Sequence, residues 1–420
     1  MGQPEMMRHK GNVSGRPENI SLHHRPTVAR IFGLLGPISL PVAGLPLGVV
    51  LGILGLGLRR PSVMPRMSRA IAMSSVVAAG ACLVSAHING VPASAIPAQL
   101  LAVGILLFAY RATIDGLDSA AILVGWLALS STLYTIAFGS SNTRGSFEAL
   151  WKFGIAYTAT IFILYLAARL LPTIFSIIVL FALGAMGTFL NFRSFGLVCA
   201  VAGAMCIAKA GRRGNTFRTI VLASMAVLAI SYLLPLAIDS GAFGTTTQYK
   251  SLSQADNGPA ILGGRTEPPL SIAAIQARPL LGWGNAQSID GSTVNHAVAI
   301  AQSLGMNNVQ TYTQLWIRSD GFVSLHSMLF VPWVEGGPVA AFPMLLMIGL
   351  FVWAAIVARG RWGVLVTLVS LQSIWDVLFS PWTGARVVAV AAAAVLAGFA
   401  VLGRATSRSA ATMNLAGRRI

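Results

Sequence analysis

Four side chains stand out by type and setting: His326, Arg193, Arg265 and Arg278. His326 lies in Leu325-His326-Ser327, ahead of the apolar run Met328 to Val334 and the break Glu335-Gly336-Gly337-Pro338. Imidazole exchanges a proton near neutral pH and can take one from a hydroxyl, so general-base chemistry is open to it. A structural histidine is the competing reading, and His296 shares the same polar interval. Arg193 sits in Asn191-Phe192-Arg193-Ser194, which parts two apolar runs with almost no loop. A guanidinium at such a boundary costs free energy unless it meets an anion or reaches the headgroups. Its planar fork suits phosphate oxygens; interfacial anchoring is the alternative. Gly263-Gly264-Arg265-Thr266 presents another arginine on a flexible turn. Arg278-Pro279-Leu280-Leu281-Gly282-Trp283-Gly284 reads as a turn whose tryptophan closes a short helix over residues 270–277 and sets the loop against a membrane.

The elements that must position these residues are long apolar segments. Apolar residues make up 55% of the chain and charged residues 10%. That pattern fits membrane spans and exceeds what a soluble core needs. The segments fall at 29–42, 44–58, 70–88, 95–112, 119–139, 152–170, 173–190, 194–209 and 217–238, then at 337–358, 362–380 and 384–403. The expected fold is therefore all-α: a polytopic transmembrane helix bundle of about twelve spans, with one large periplasmic loop containing short helices. The parts are an N-terminal tail (1–28), nine spans (29–238), the loop (239–336), three spans (337–403) and a basic tail (404–420). The first two pieces are short and proline-containing. They read as a tight hairpin, with a re-entrant element as the alternative.

Charge orients the bundle. The net charge is +17, yet the basic residues cluster between spans and do not form a basic face, which excludes a nucleic-acid partner. With the N-terminus in the cytoplasm, cytoplasmic loops receive Arg111, Arg169, Lys209, Arg212, Arg213, Arg359 and Arg361. The long polar interval, 239–323, mixes Lys250, Arg265, Arg278 and Arg318 with Asp239, Asp256, Glu267, Asp290 and Asp320, as an outward loop should. The polar, basic first 28 residues read as a cytoplasmic tail and not a signal peptide. Asp376 is a rare charge within a span, near its outer end; it faces the cavity or pairs with an arginine.

Several chemistries are excluded. Cys82, Cys199 and Cys206 lie inside spans and read as packing residues, without a disulfide framework. His296 and His326 are far apart, with no cysteine or clustered acid to complete a zinc set, and no aspartate cluster suits magnesium. No Gly-Lys-Ser/Thr phosphate loop and no Gly-x-Ser-x-Gly elbow occurs. No metal and no cofactor is expected.

Taken in order, Arg193-Ser194, Gly264-Arg265, Pro279-Leu280-Leu281-Gly282-Trp283-Gly284, His326-Ser327 and Glu335-Gly336-Gly337 resemble the pattern of the O-antigen ligase and O-antigen polymerase superfamily. These are polytopic membrane glycosyltransferases with a large periplasmic loop late in the chain. Ser327 stands where that pattern has asparagine, and the interval from Gly284 to His326 is long. The resemblance implies a donor glycan on a polyprenyl (undecaprenyl) diphosphate, in the outer leaflet of a bacterial cytoplasmic membrane. It implies Arg193, Arg265 and Arg278 as diphosphate-binding residues and His326 as the general base acting on the acceptor hydroxyl. A glycan or a lipid core is the implied acceptor, and a chain-length regulator the implied protein partner. A polymerase or ligase is favoured because no soluble domain follows the last span. Protein O-glycosylation within the superfamily, a lipid-linked glycan flippase and a non-catalytic scaffold are the competing readings. A flippase would line its cavity with mid-membrane cations or show internal duplication.

Overall fold

A computed structural model describes residues 25–38, 46–56, 66–139, 143, 145–210, 216–242, 244–245, 248–249, 251–252, 266–306 and 309–416. Most of the N-terminal tail, Arg265 with its two glycines, and residues 417–420 lie outside the described residues. What is described is helical; the isolated bridge Ile317–Val323 is its nearest approach to a sheet. In order, the helices are α1 (Arg25–Leu35), α2 (Leu47–Leu56), α3 (Arg66–Ile88), α4 (Ile96–Thr113), α5 (Leu117–Phe138) and α6 (Phe147–Leu170). Next come α7 (Thr173–Phe189), α8 (Arg193–Lys209), α9 (Thr216–Asp239), α10 (Pro268–Ala277), α11 (Gly291–Ser303) and α12 (Val309–Trp316). The last three are α13 (Phe330–Val357), α14 (Gly363–Phe379) and α15 (Gly384–Ala416).

Six of these stretches are long and apolar enough to cross a membrane: α3, α4, α5, α6, α13 and residues 384–403 of α15. Lipid offers no hydrogen bonds, so a segment crossing it must satisfy its own backbone, and a helix does. The outward faces agree. Val77, Leu83, Val84, Ile136, Phe175, Ile178 and Leu228 are exposed, a greasy belt that no soluble monomer tolerates. The chain reads as a membrane protein. Its centre is α15, whose run Val387 to Ala397 is almost wholly buried, with α3, α4, α5, α13 and α14 around it. Small residues let the backbones approach: a Cβ on Gly336 would stand 2.9 Å from the Cys82 nitrogen.

Among the described residues, the first hairpin is two short helices. Helices α1 and α2 have 11 and 10 residues, about 15 Å each, half the hydrocarbon thickness. They meet where Gly48 N donates to Gly36 O at 3.2 Å and Leu47 N to Ile38 O at 2.7 Å. Helix α1 runs alongside α5, with Ser130 Oγ donating to Leu34 O at 2.5 Å, midway along that helix. Helix α2 returns along α4, with Gly52 against Ala109 near its far end. The described part of the pair runs out along α5 and back along α4. The helix begun at Gly384 continues through Ala416, into the basic tail.

The two ends of the bundle are told apart by contacts. Lys209, at the end of α8, donates to Ala355 O at 2.8 Å and to Thr367 Oγ1 at 2.6 Å, near the end of α13 and the start of α14. At this same end Asp118 pairs with Arg361 at 2.7 Å and accepts from Trp362 Nε1 at 2.5 Å. The opposite end holds the starts of α8, α13 and α15, the ends of α3 and α14, and helices α10 to α12. We call it the loop face.

Candidate functional site

The loop is locked to the bundle by the Pro279–Gly284 turn. Gly282 and Gly284 both have positive φ, 76° and 75°, which glycine alone adopts cheaply. That conformation threads the turn between the end of α3 and a kink in α13. Trp283 N donates to Val334 O at 2.7 Å, and Gly284 N to Glu335 O at 2.9 Å. Trp283 folds back as expected, its Nε1 donating to Ala274 O of α10 at 2.9 Å. Glu335 is buried and completes the lock, accepting from Ser94 Oγ at 2.5 Å and from Ala286 N at 3.2 Å. The kink lies at Gly337, φ 71° and ψ −167°. The Gly-Gly-Pro break is thus where one helix ends and the long apolar one starts, as expected. A short helix, 330–336, precedes the break and packs with the long one against α3.

Helix α10 presents a carboxylate to His326. Pro268 and Pro269 open the helix, where their missing N–H groups cost nothing, and Glu267 is the residue just ahead. Its Oε1 lies 2.6 Å from His326 Nδ1. A carboxylate only accepts, so Nδ1 carries the hydrogen, and in the neutral ring Nε2 is then the nitrogen with the lone pair. The Ser324 hydroxyl lies 3.3 Å from Nε2. The His326 side chain keeps 37% of its surface open against 19% for Glu267. The imidazole is therefore reachable, and the carboxylate stands behind it.

The segment after His326 is stitched to α14. Ser327 does not orient the imidazole. Its Oγ accepts from Phe330 N at 3.0 Å and Leu329 N at 3.2 Å, capping α13, and donates to Val377 O at 3.3 Å. Leu329 N donates to the same Val377 carbonyl at 2.9 Å. A small cleft opens here, lined by Glu267, Pro268, Ser271, His326, Phe330, Leu378 and Phe379. The adjoining turn adds charges: Asp376 Oδ1 faces Arg386 Nε at 3.9 Å, the arginine-partner reading of that aspartate.

The three nominated arginines are placed differently. Arg193 opens α8 at the loop face, under the electrostatic influence of Asp239. Beside it, Asn191 Nδ2 donates to Glu148 Oε1 at 3.0 Å. Arg278 ends α10, about 15 Å from Glu267 along the helix. Its guanidinium donates to Asn89 Oδ1 and lies 4.1 Å over the Trp283 ring, so it braces the turn and does not line the His326 cleft. Arg265 lies outside the described residues, two positions before Glu267 in sequence. His296 contacts Gln276 Oε1 at 2.9 Å, away from the cleft.

Sequence reasoning passed over Glu267 and Arg386. A signal existed for each: a carboxylate close to a nominated arginine, and a lone charge in the first turn of the final apolar run. The chain matches no protein-family model and no curated protein.

Proposed function

We propose that this chain is a metal-independent membrane glycosyltransferase, an O-antigen or exopolysaccharide polymerase or ligase. It moves a glycan from a polyprenyl diphosphate donor to an acceptor hydroxyl at the loop face. The observation that carries the reading is the Glu267–His326 pair, 2.6 Å apart, with the imidazole part-exposed beside a cleft at the mouth of an apolar bundle. An oriented imidazole of this kind takes a proton from a hydroxyl as that oxygen attacks. The attacked atom is the anomeric carbon. Its bond to the diphosphate oxygen breaks, and polyprenyl diphosphate leaves without needing protonation.

Charge develops on the leaving diphosphate, and fixed cations stabilise it. Arg193 is on the loop face, and Arg265 is joined to Glu267 through Thr266 alone. The ordered motifs described above support the same chemistry. The setting is a bacterial cytoplasmic membrane with the loop face outward, where donor and acceptor meet among lipid headgroups. A polymerase would work with a chain-length regulator.

The test is transfer from a lipid-linked oligosaccharide in membranes carrying His326→Ala. Loss of a general base should lower turnover about 10²–10⁴-fold at an unchanged membrane level. A variant that still transfers at the parental rate would sink the reading, and transport without transfer would identify a flippase.

A further inference from the structure

We infer that Arg386 is a further diphosphate-binding residue, holding the leaving group of the donor beside His326, with Asp376 aiming it. The inference rests on the glycosyl-transfer reading and adds a cation that the sequence motifs do not contain.

The two charges sit on ends of helices that disfavour them. Arg386 is in the first turn of α15 and Asp376 in the last turn of α14. A macrodipole favours anions at the first position and cations at the second. Facing each other offsets part of that cost. At 3.9 Å the contact is charge attraction without a hydrogen bond. Asp376 is itself fixed: Ser380 Oγ donates to Oδ1 at 2.8 Å and Gln372 Nε2 to Oδ2 at 3.0 Å. Arg386 Nη1 donates to Pro381 O at 3.1 Å. The guanidinium is thus held at two points while 36% of its side chain stays open.

Arg386 does not wall the His326 cleft itself, but the turn that carries it adjoins that cleft. The last turn of α14 carries Asp376 and also Leu378 and Phe379, which wall the cleft holding Glu267 and His326. Trp382 Nε1 donates to Met328 O at 3.1 Å, tying the turn before Arg386 to the segment after His326. Arg278, by contrast, is spent on Asn89 and Trp283. A planar fork at the positive end of a long helix is suited to two phosphate groups. There it neutralises oxygen charge as the anomeric carbon–oxygen bond breaks.

The experiment measures binding of farnesyl diphosphate, and of inorganic pyrophosphate, to the full chain in detergent by calorimetry. Arg386→Ala should weaken farnesyl diphosphate binding about 10–100-fold, the range for charge-assisted hydrogen bonds. Arg386→Lys keeps the charge and a donor for Pro381 O but loses the fork, and should recover part of the affinity. An effect shared by pyrophosphate assigns the site to the diphosphate itself; an effect on the lipid form alone also supports it, with the chain needed for docking. In turnover, Arg386→Ala should raise KM for the donor, whereas His326→Ala should lower kcat and leave farnesyl diphosphate affinity intact. Parental affinity in Arg386→Ala overturns the inference even where His326→Ala abolishes transfer. So does an equal loss in Arg318→Ala, whose side chain is exposed and paired with Asp320. Weakened binding in Arg386→Ala together with full transfer in His326→Ala would overturn the transfer reading and leave the binding site standing.

Discussion

His326 is useful because of what stands on its far side. With Glu267 accepting from Nδ1, the reactive nitrogen is set by geometry before a substrate arrives. Glu267→Gln keeps the shape but removes the charge, and kcat should fall on the order of 100-fold with little change in KM. Glu267→Asp should recover part of the rate; equal rates in the parent and Glu267→Gln would refute a positioning role. Asp290 offers a pH-dependent test of the loop. It caps α11, accepting from Thr293 N and Ser292 Oγ at 2.8 Å each, and these bonds hold its carboxyl below its ordinary 3.8. The cap therefore stabilises α11 fully above that value and is lost as pH falls through the lower folded one. Amide exchange at Thr293 should accelerate across that acid window in the parent and show no such step in Asp290→Ala. A parent without the step would remove this assignment. His326 was legible from its place before an apolar run. Glu267 was not, because 59 residues separate it from its partner and only folding brings α10 beside that run.

Apolar runs gave away the helices, and Thr173–Phe189 and Thr216–Asp239 lie within a residue or so of their expected bounds. Irregular backbone was harder to read. Gly337 announced a stop and makes one, though the helices on both sides pack on α3 and the second resumes at once at Pro338. A Cβ there would stand 1.9 Å from the Leu280 carbonyl oxygen, and φ is 71°. Gly337→Ala should cost about 3 kcal/mol or more, from left-handed strain plus a backbone clash that cannot yield. Gly349 lies in the same helix with no atom within 4 Å of such a Cβ, so Gly349→Ala should be neutral or stabilising by about 0.5–1 kcal/mol. Thermal unfolding in detergent checks both; equal midpoints would mean the bend tolerates an ordinary residue. In the first hairpin, prolines and short apolar pieces signal a turn but not its depth. Depth is decided by tertiary partners, here Ser130 and Ala109.

At the scale of the molecule, the two ends of the bundle divide the work. One end is tied by Lys209 and by the Asp118–Arg361–Trp362 cluster, the other carries the cleft. Basic clusters between apolar runs made that division legible, though not which groups close each end. The orientation predicts labelling. Cysteine introduced at Asp320 should react with a membrane-impermeant maleimide in intact cells, and at Arg361 only after lysis. The native cysteines are buried, so neither experiment needs them removed. The reverse pattern would turn the protein over and end the proposed reaction. The lock on the Trp283–Gly284 turn carries a last consequence. Asn89 reaches Gly282 O, 193 positions later, and the His326 segment is held by Val377. During synthesis the ribosome must deliver α14 before the base has its final support. Nascent or truncated chains should therefore lack the proposed activity until the last helices have been inserted.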